Sequence, residues 1–336
     1  MNRGILGWMI YALPLPILGI SLCIGPSDTV SPRQVLMWFF NLFYESSPNA
    51  LSGDALVAVI LRDVRLPRIL LTFMVGSALS ISGSAMQALF RNPLVSPYVL
   101  GVSSGSAFGA ALAIIVPMIP IQLSAFTFGI MAAGISYFIA RIHNTVSVTS
   151  LVLSGVIISS VFTSFLALIQ FLIDPNRLQA IVHWTMGNLH TASWSKIYSA
   201  GPLICIAAVC LLMLGYRMNV LAMGDEEAKA VGVNPEREKL FILLPAVLAT
   251  SAAVAVAGII GFMGLVVPHL VRMMLGPDNR RTIPACFCFG GVFLVLMDNI
   301  ARSIALVEIP VGIFTNFLGA PLFVYLLRKS RTGWDI

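Results

Sequence analysis

The sequence predicts an all-α, polytopic membrane protein with about ten transmembrane helices, and three observations carry that reading. Apolar residues make up 58% of the chain and charged residues only 10%, where a soluble domain has roughly 25% charged residues. The 336 residues hold ten apolar runs, most of them close to the ~20 residues that cross a bilayer as a helix. No Asp, Glu, Lys or Arg falls near the centre of any of these runs, which fits the cost of roughly 2.5–3.5 kcal/mol for placing such a charge there.

Taken in order, the first run extends from about Leu6 to Cys23 behind a lone Arg3. No small-x-small cleavage site leading into a soluble domain follows, so a retained first span is expected rather than a removed signal. Residues 24–64 are mixed and polar with a short apolar patch at Ala55–Leu61, which predicts an extracytoplasmic loop. Further spans are expected at about 67–89, 98–117, 121–141, 148–173, 196–215, 240–259, 262–276, 281–300 and 309–328. The run at 262–276 is short and is interrupted by Gly264 and Pro268 just after Gly261, so a broken or partial span is expected there. Ten spans put both termini on one side. With that side cytoplasmic, thirteen of the twenty Lys and Arg residues face the cytoplasm, as the positive-inside rule requires.

The same bias accounts for the net charge of +6 without a nucleic-acid partner. Cys23, Cys205, Cys210, Cys286 and Cys288 sit inside apolar runs with no CxxC spacing, and read as small packing residues rather than disulfides or metal ligands. The chain has no Gly-Lys dipeptide, hence no Walker A loop to hold ATP. The missing intramembrane charges argue against a proton relay. Energy for active transport would have to enter through another protein.

A charged island offers the place. Tyr216–Lys239 holds nine of the chain's 34 charged residues and interrupts two long apolar stretches. Within it Val220, Leu221 and Met223, then Ala228, Val231 and Val233, keep an amphipathic pattern broken by Gly224 and Gly232. That predicts two short helices at the membrane surface, joined by a glycine turn. A folded cytoplasmic platform of this kind is built for a soluble partner.

The stretch RLPRILLTFMVGSALSISGSAMQALFRNPLVSPYVLGVSSGSAFGA (Arg65–Ala110) resembles the membrane subunits of type II ABC importers, the FecCD permease family. The resemblance continues through HWTMGNL (His183–Leu189), LAMGDEEAKAVGV (Leu221–Val233), GIIGFMGLVVPHLVRMMLGPDNRR (Gly258–Arg281), DNIARSI (Asp298–Ile304) and EIPVGIFTNFLGAPLFVYLL (Glu308–Leu327). It covers essentially everything after residue 60. It implies one transmembrane permease domain over residues 1–336, with a cytoplasmic coupling-helix loop at 216–239, in the inner (cytoplasmic) membrane of a prokaryote. The implied partners are a second permease copy, two ATPase subunits that hold the ATP and Mg this chain lacks, a periplasmic or lipid-anchored binding protein, and membrane lipid. The implied cargo is a metal chelate (iron-siderophore, haem or cobalamin). Alternatives are an oxoanion such as molybdate on the same fold and, from another class, an ATP-independent secondary transporter or channel.

The resemblance also assigns residues. Leu221 and Met223 would be apolar knobs for the ATPase groove, Gly224 the turn, Asp225 and Glu226 polar contacts or helix caps, and Gly232 the second break. Arg65, Arg68 and Arg302, on the outer side, would receive acidic residues of the binding protein, for which a charged planar guanidinium is suited. Snorkelling toward lipid phosphate is the plain alternative, and Asp298, one turn from Arg302, could simply pair with it. Asn92 and Leu94, with Ser147, Val148 and Thr149, match inner-gate segments, although Val148 stands where a relative has a small hydroxyl residue. Ser150, Ser154, Ser160 and Ser164 share one broad helical face and, with Asn316, could line the path or simply pack helices closely. Of the histidines, His143 is expected in the cytoplasm and His269 in the VVPH block. His183 and His190 lie outside and are read as structural, so no metal site is expected.

Overall fold

The computed structural model describes residues 3–25, 30–43, 52–142, 145–304 and 308–329. His143, Arg331 and both chain ends lie outside these residues, as does part of the expected outer loop.

Among the described residues, seven helices of 18 residues or more are apolar enough to cross a membrane, and three shorter apolar helices accompany them. Each of the ten falls on one of the runs expected from the sequence. The first is a bent pair, α1 (Arg3–Ala12) and α2 (Pro14–Cys23). Helix α3 (Pro32–Phe43) and α4 (Ser52–Val59) follow. This corrects the expectation of a polar loop over 24–64. Val30, Val35, Val57 and Leu61 bury a small cluster with Leu22 and Trp38 partly covered against it. Helix α4 then runs through a π-helical turn, Ile60–Arg65, into α5 (Leu66–Phe90). The charged residues Arg62, Asp63 and Arg65 that broke the apolar pattern all lie in that turn; a wide turn inside a continuous helix is a usual way to seat such an interruption.

Helices α6 (Val102–Ile115) and α7 (Ile121–Ala140) pack side by side and lead through a two-residue ribbon, β1 (Arg141–Ile142) and β2 (Thr145–Val146), into α8 (Val148–Leu172). Helix α9 (Pro175–Thr185) is short; α10 (Trp194–Met213) is long. Next come α11 (Gly215–Met223), α12 (Asp225–Ala230) and α13 (Pro235–Ala257), then α14 (Met263–Leu275), α15 (Asn279–Ala301) and α16 (Val311–Lys329). At 13 residues α14 spans about 20 Å, short of the ~30 Å hydrocarbon core, so it is the partial span that the glycines and proline predicted.

Helix α5 is the hub. It packs against α10, α13, α14 and α15, and almost every residue from Val75 to Phe90 is buried. Lipid tails are as apolar as leucine, so spans associate through close packing of small residues rather than through a hydrophobic drive. The sequence GSALSISGSA supplies them. A Cβ on Gly83 would collide with the backbone of Gly264, and one on Gly76 with the carbonyl of Gly290. The helical bundle therefore has α5 and these four neighbours at its centre, with α6, α7 and α8 forming a flank.

Candidate functional site

The polar residues sort into two groups at opposite ends of the bundle. One surrounds α11 and α12; the other surrounds the first turn of α5.

Helices α11 and α12 are the two short helices expected at 216–239. Gly224 joins them at φ 148°, ψ 157°, a backbone region that side chains rarely enter. Gly232 (φ 81°) ends α12 in a Schellman cap. Its N–H donates to the Lys229 carbonyl (2.9 Å) and the Val233 N–H to the Ala228 carbonyl (2.9 Å). Met223 and Val231 are exposed at 68% and 63% and are large apolar side chains that α11 and the end of α12 leave open. Leu221 is different: at 1% exposure it belongs to the protein's own core. The expectation of Leu221 as a knob for a partner is corrected accordingly, because a side chain already packed inside has no surface to offer. Glu226 is exposed and pairs with Lys229 one turn on (2.7 Å).

Asp225 faces inward. Its carboxylate accepts from Arg91 Nη2 and from Lys239 Nζ at 2.7 Å. Partial burial would raise its pKa, but the bonds and charges of Lys239 and Arg91 outweigh that and hold it below the ordinary 3.8. Lys239 is 3% exposed and donates also to Glu236 Oε1 (2.9 Å) and to the backbone carbonyl of Val146 (2.9 Å). Glu236 in turn accepts from the Val146 N–H (2.8 Å). Arg91 Nε donates to the Leu221 carbonyl (3.0 Å). Arg91 itself caps α5 with φ 49°, the left-handed region that a non-glycine residue enters at a cost.

Both expected gate segments are thus within a residue of this network. Asn92 follows Arg91, and its side-chain oxygen accepts from the Leu94 N–H (2.9 Å), turning the loop. Leu94 is half exposed. Ser147 follows Val146 and is the N-cap of α8, accepting from the Ser150 N–H. Val148 and Thr149 form the first turn.

Beside the gate loop an open groove of about 770 Å³ runs between residues 92–99 and one face of α8. Ser160 and Ser164 line it, as do Ser159 and Thr163, which the sequence reading passed over. Their spacing of three and four was the available signal. Ser160 and Ser164 each donate to the carbonyl four residues back (3.0 and 2.9 Å), so their protons are already engaged within the helix. Ser150 is held by the cap of α8, its N–H donating to Ser147 Oγ (3.0 Å), and Ser154 is buried with its hydroxyl on the Leu151 carbonyl; neither lines the groove. Asn316 lies on α16 with its amide oxygen against Gly261 and is not among the residues that line the groove. Tyr98, on the loop side, donates to the Ile260 carbonyl (2.8 Å) in the break between α13 and α14. Among the described residues, none that lines the groove carries a charge.

At the other end, the three arginines expected to receive a partner are turned inward. Arg65 and Arg302 are each 3% exposed. Arg65 donates to the Leu22 carbonyl (2.7 Å); Arg302 donates to the Ser21 carbonyl (3.2 Å) and to Asn299 Oδ1. Arg68 forms a fork with Asp298 (3.0 and 2.8 Å) and reaches Glu308 (3.0 and 2.9 Å). Asp298 is thereby taken by Arg68, and Arg302 stands 4.0 Å from it. A guanidinium that is buried and bonded inside the fold does not face a docking protein, so the three arginines read here as internal braces. His183 and His190 lie near this end with ring centroids 5.0 Å apart. Partial burial, then the neighbouring His183, lowers the pKa of His190 below 6.5. Among the described residues no group of three or more His, Cys, Asp or Glu side chains could hold a metal ion.

Comparison with known proteins bears on the whole of this arrangement. The model of the FecCD transport family matches residues 13–329. A cobalamin import system permease of Halobacterium salinarum is 42% identical, over 81% of this chain and 74% of that protein. A molybdate import system permease of Haemophilus influenzae is 36% identical, over 94% of this chain and 92% of its own length. Among solved structures, one described as an inward-facing conformation of a transporter assigned to the metal-chelate ABC type superposes with a TM-score of 0.83 at 34% identity, covering 96% of this chain and 99% of that one.

Proposed function

The chain belongs to the FecCD transport family and is a multi-pass membrane permease of an ABC importer; from that premise we propose that its cargo is a metal chelate, of the iron-siderophore, haem or cobalamin kind. The groove beside α8 carries this reading. It is wide, lined by hydroxyl, amide and apolar groups, and among the described residues no charged side chain lies along its wall. A bare oxoanion such as molybdate would cross such a surface with no cation to replace its hydration. A metal already wrapped in an organic chelator presents a large, mostly neutral exterior and needs no such group. Specificity then rests with the binding protein that delivers the cargo.

In this reading the permease works as a homodimer, the second copy closing the groove from the side that α8 leaves open. Two ATPase subunits, carrying ATP and Mg, dock on α11 and α12, with Met223 and Val231 as the apolar contacts and Glu226 at the rim. Asn92, Leu94 and the Ser147–Thr149 turn form the inner gate. The binding protein sits over the end that carries Arg68 and Glu308. Both termini face the cytoplasm. The chain forms and breaks no bond of the cargo; it alternates access to the groove.

Reconstitution in liposomes with the matching ATPase and binding protein tests this directly. Radiolabelled ferric hydroxamate, haemin, cyanocobalamin and molybdate are offered in parallel. Uptake of one chelate that requires ATP and the binding protein is the expected result. Preference for molybdate would move the cargo to the oxoanion branch. Uptake that persists without the ATPase and collapses with an ion gradient would overturn the importer reading.

A further inference from the structure

Two cytoplasmic segments, 92–96 and 145–149, are far apart in sequence, and neither belongs to the α11–α12 platform. Each is nevertheless bonded to one platform residue through a single cation. Arg91, the residue before the first segment, carries its guanidinium to the Leu221 carbonyl and the Asp225 carboxylate. Lys239 carries its ammonium to the other side of that carboxylate, 2.7 Å away, and to the Val146 carbonyl at 2.9 Å, within the second segment.

We propose that Asp225 is a joint that fastens both gate segments to the platform, with Arg91 and Lys239 as its two arms, so that the gates move together and only when the platform moves. The inference rests on the importer reading for its purpose, but the joint itself is a property of this chain. Asp225 then acts as a positioning residue inside the permease, and the ATPase contact falls to its exposed neighbours.

Three features support a mechanical role over plain surface pairing. Lys239 is buried, with a side-chain exposure of 4%, so its bonds are shielded from water and salt. All three of its acceptors are accounted for: one on the platform, one on its own helix and one on the second gate segment. Arg91 holds a left-handed backbone that most residues avoid. Glycine would adopt it freely, yet glycine has no guanidinium to reach the platform. A strained cap kept by an arginine whose side chain makes the link is what a joint requires.

The joint makes a non-local prediction. The side-chain bonds of the two cations do not overlap in these segments: Lys239 donates to Val146, Asp225 and Glu236, and the Arg91 guanidinium to Leu221 and Asp225. Hydrogen exchange of the chain alone in lipid nanodiscs should show that Lys239→Met loosens both segments, at least fivefold faster in each, and that Arg91→Gly does the same. Lys239→Arg, which keeps the charge, should restore protection. Arg91→Gly also relieves the strained backbone, so it guards against a variant that merely fails to fold. Loosening confined to the segment next to the substituted residue would overturn the proposal, as would no loosening at all. In the complete transporter, both variants should lose about tenfold in uptake while ATP hydrolysis stays within twofold; a parallel fall in both would mark a structural defect and count against the joint. If the wild-type chain shows no ATP-driven uptake, the importer reading fails, and the exchange experiment on the chain alone still decides whether the joint exists.

Discussion

At the inner end of the bundle one carboxylate serves two cations; at the outer end one cation serves two carboxylates. Asp225 is shared by Arg91 and Lys239, and its side chain is 34% exposed. Arg68 is shared by Asp298 and Glu308, and the Arg68–Asp298 fork is closed off at 11% and 4% exposure. The same chemistry does different work in the two places. A buried bidentate fork is hard to open, because each ion left alone would be uncompensated. The Arg91–Asp225 pair, exposed at 37% and 34%, is open to water and costs less to separate, while the Lys239 arm stays buried. The outer cluster fixes α5 to α15 and to the residues before α16; the inner one joins α12 to the end of α5 and to α13, the parts that the proposed joint would move together.

Substitutions can break this contrast, and the largest effect belongs to the outer end. Arg68→Ala leaves Asp298 buried and unpaired and should cost about 3–5 kcal/mol of stability, read as a lowered unfolding midpoint in detergent. Leu221→Ala removes a fully buried side chain and should cost about 2–5 kcal/mol, whereas Met223→Asp should change stability by about 0.5 kcal/mol or less and still abolish co-purification of the ATPase. Gly224→Ala forces a side chain into a disfavoured backbone region and should cost about 1–3 kcal/mol. Asp225→Asn should cost about 1 kcal/mol or less. If Asp225→Asn unfolded the chain as readily as Arg68→Ala, the two ends would not differ in kind.

The smallest effect expected is that of mild acid on Asp225. Its folded pKa lies below the ordinary 3.8, so its contribution is full above 3.8 and is lost only as the pH falls through the lower folded value. Exchange protection of the two gate segments should therefore stay level from neutral pH down to 3.8, once the intrinsic pH dependence of exchange is removed. Loss of protection well above that value would show that the arms do not hold the carboxylate.

The spans were legible because their length and apolarity are local properties. Even the short α14 could be read from Gly261, Gly264 and Pro268. The 24–64 region was not, because Arg62, Asp63 and Arg65 interrupt the apolar pattern and only the π-helical turn shows that they do not interrupt the helix. In the platform, position and composition announced two helices, but Leu221 and Met223 are two residues apart and face opposite ways. Amphipathy in so short a segment does not say which side meets the core. The joint was least accessible of all. Arg91 and Asp225 are separated by 134 positions, and the one local hint is a lysine placed where α13 becomes apolar. The outer arginines illustrate the reverse error: their family motif suggested a partner, while the carbonyls of Ser21 and Leu22 that receive Arg302 and Arg65 lie far earlier in the chain.

Helix α5 carries both clusters, Arg68 in its first turn and Arg91 at its final cap. About 35 Å of unbroken helix separates them at 1.5 Å per residue, and the glycine contacts with α14 and α15 leave it no room to bend locally. With the outer end pinned, the helix is a lever whose fulcrum lies at the outer face. A displacement of about 1 Å at Arg91 corresponds to a tilt of under about 2°. In the proposed importer, a stroke at the platform would then pass along α5 as a rotation of that size, with its full length delivered at residues 92–96.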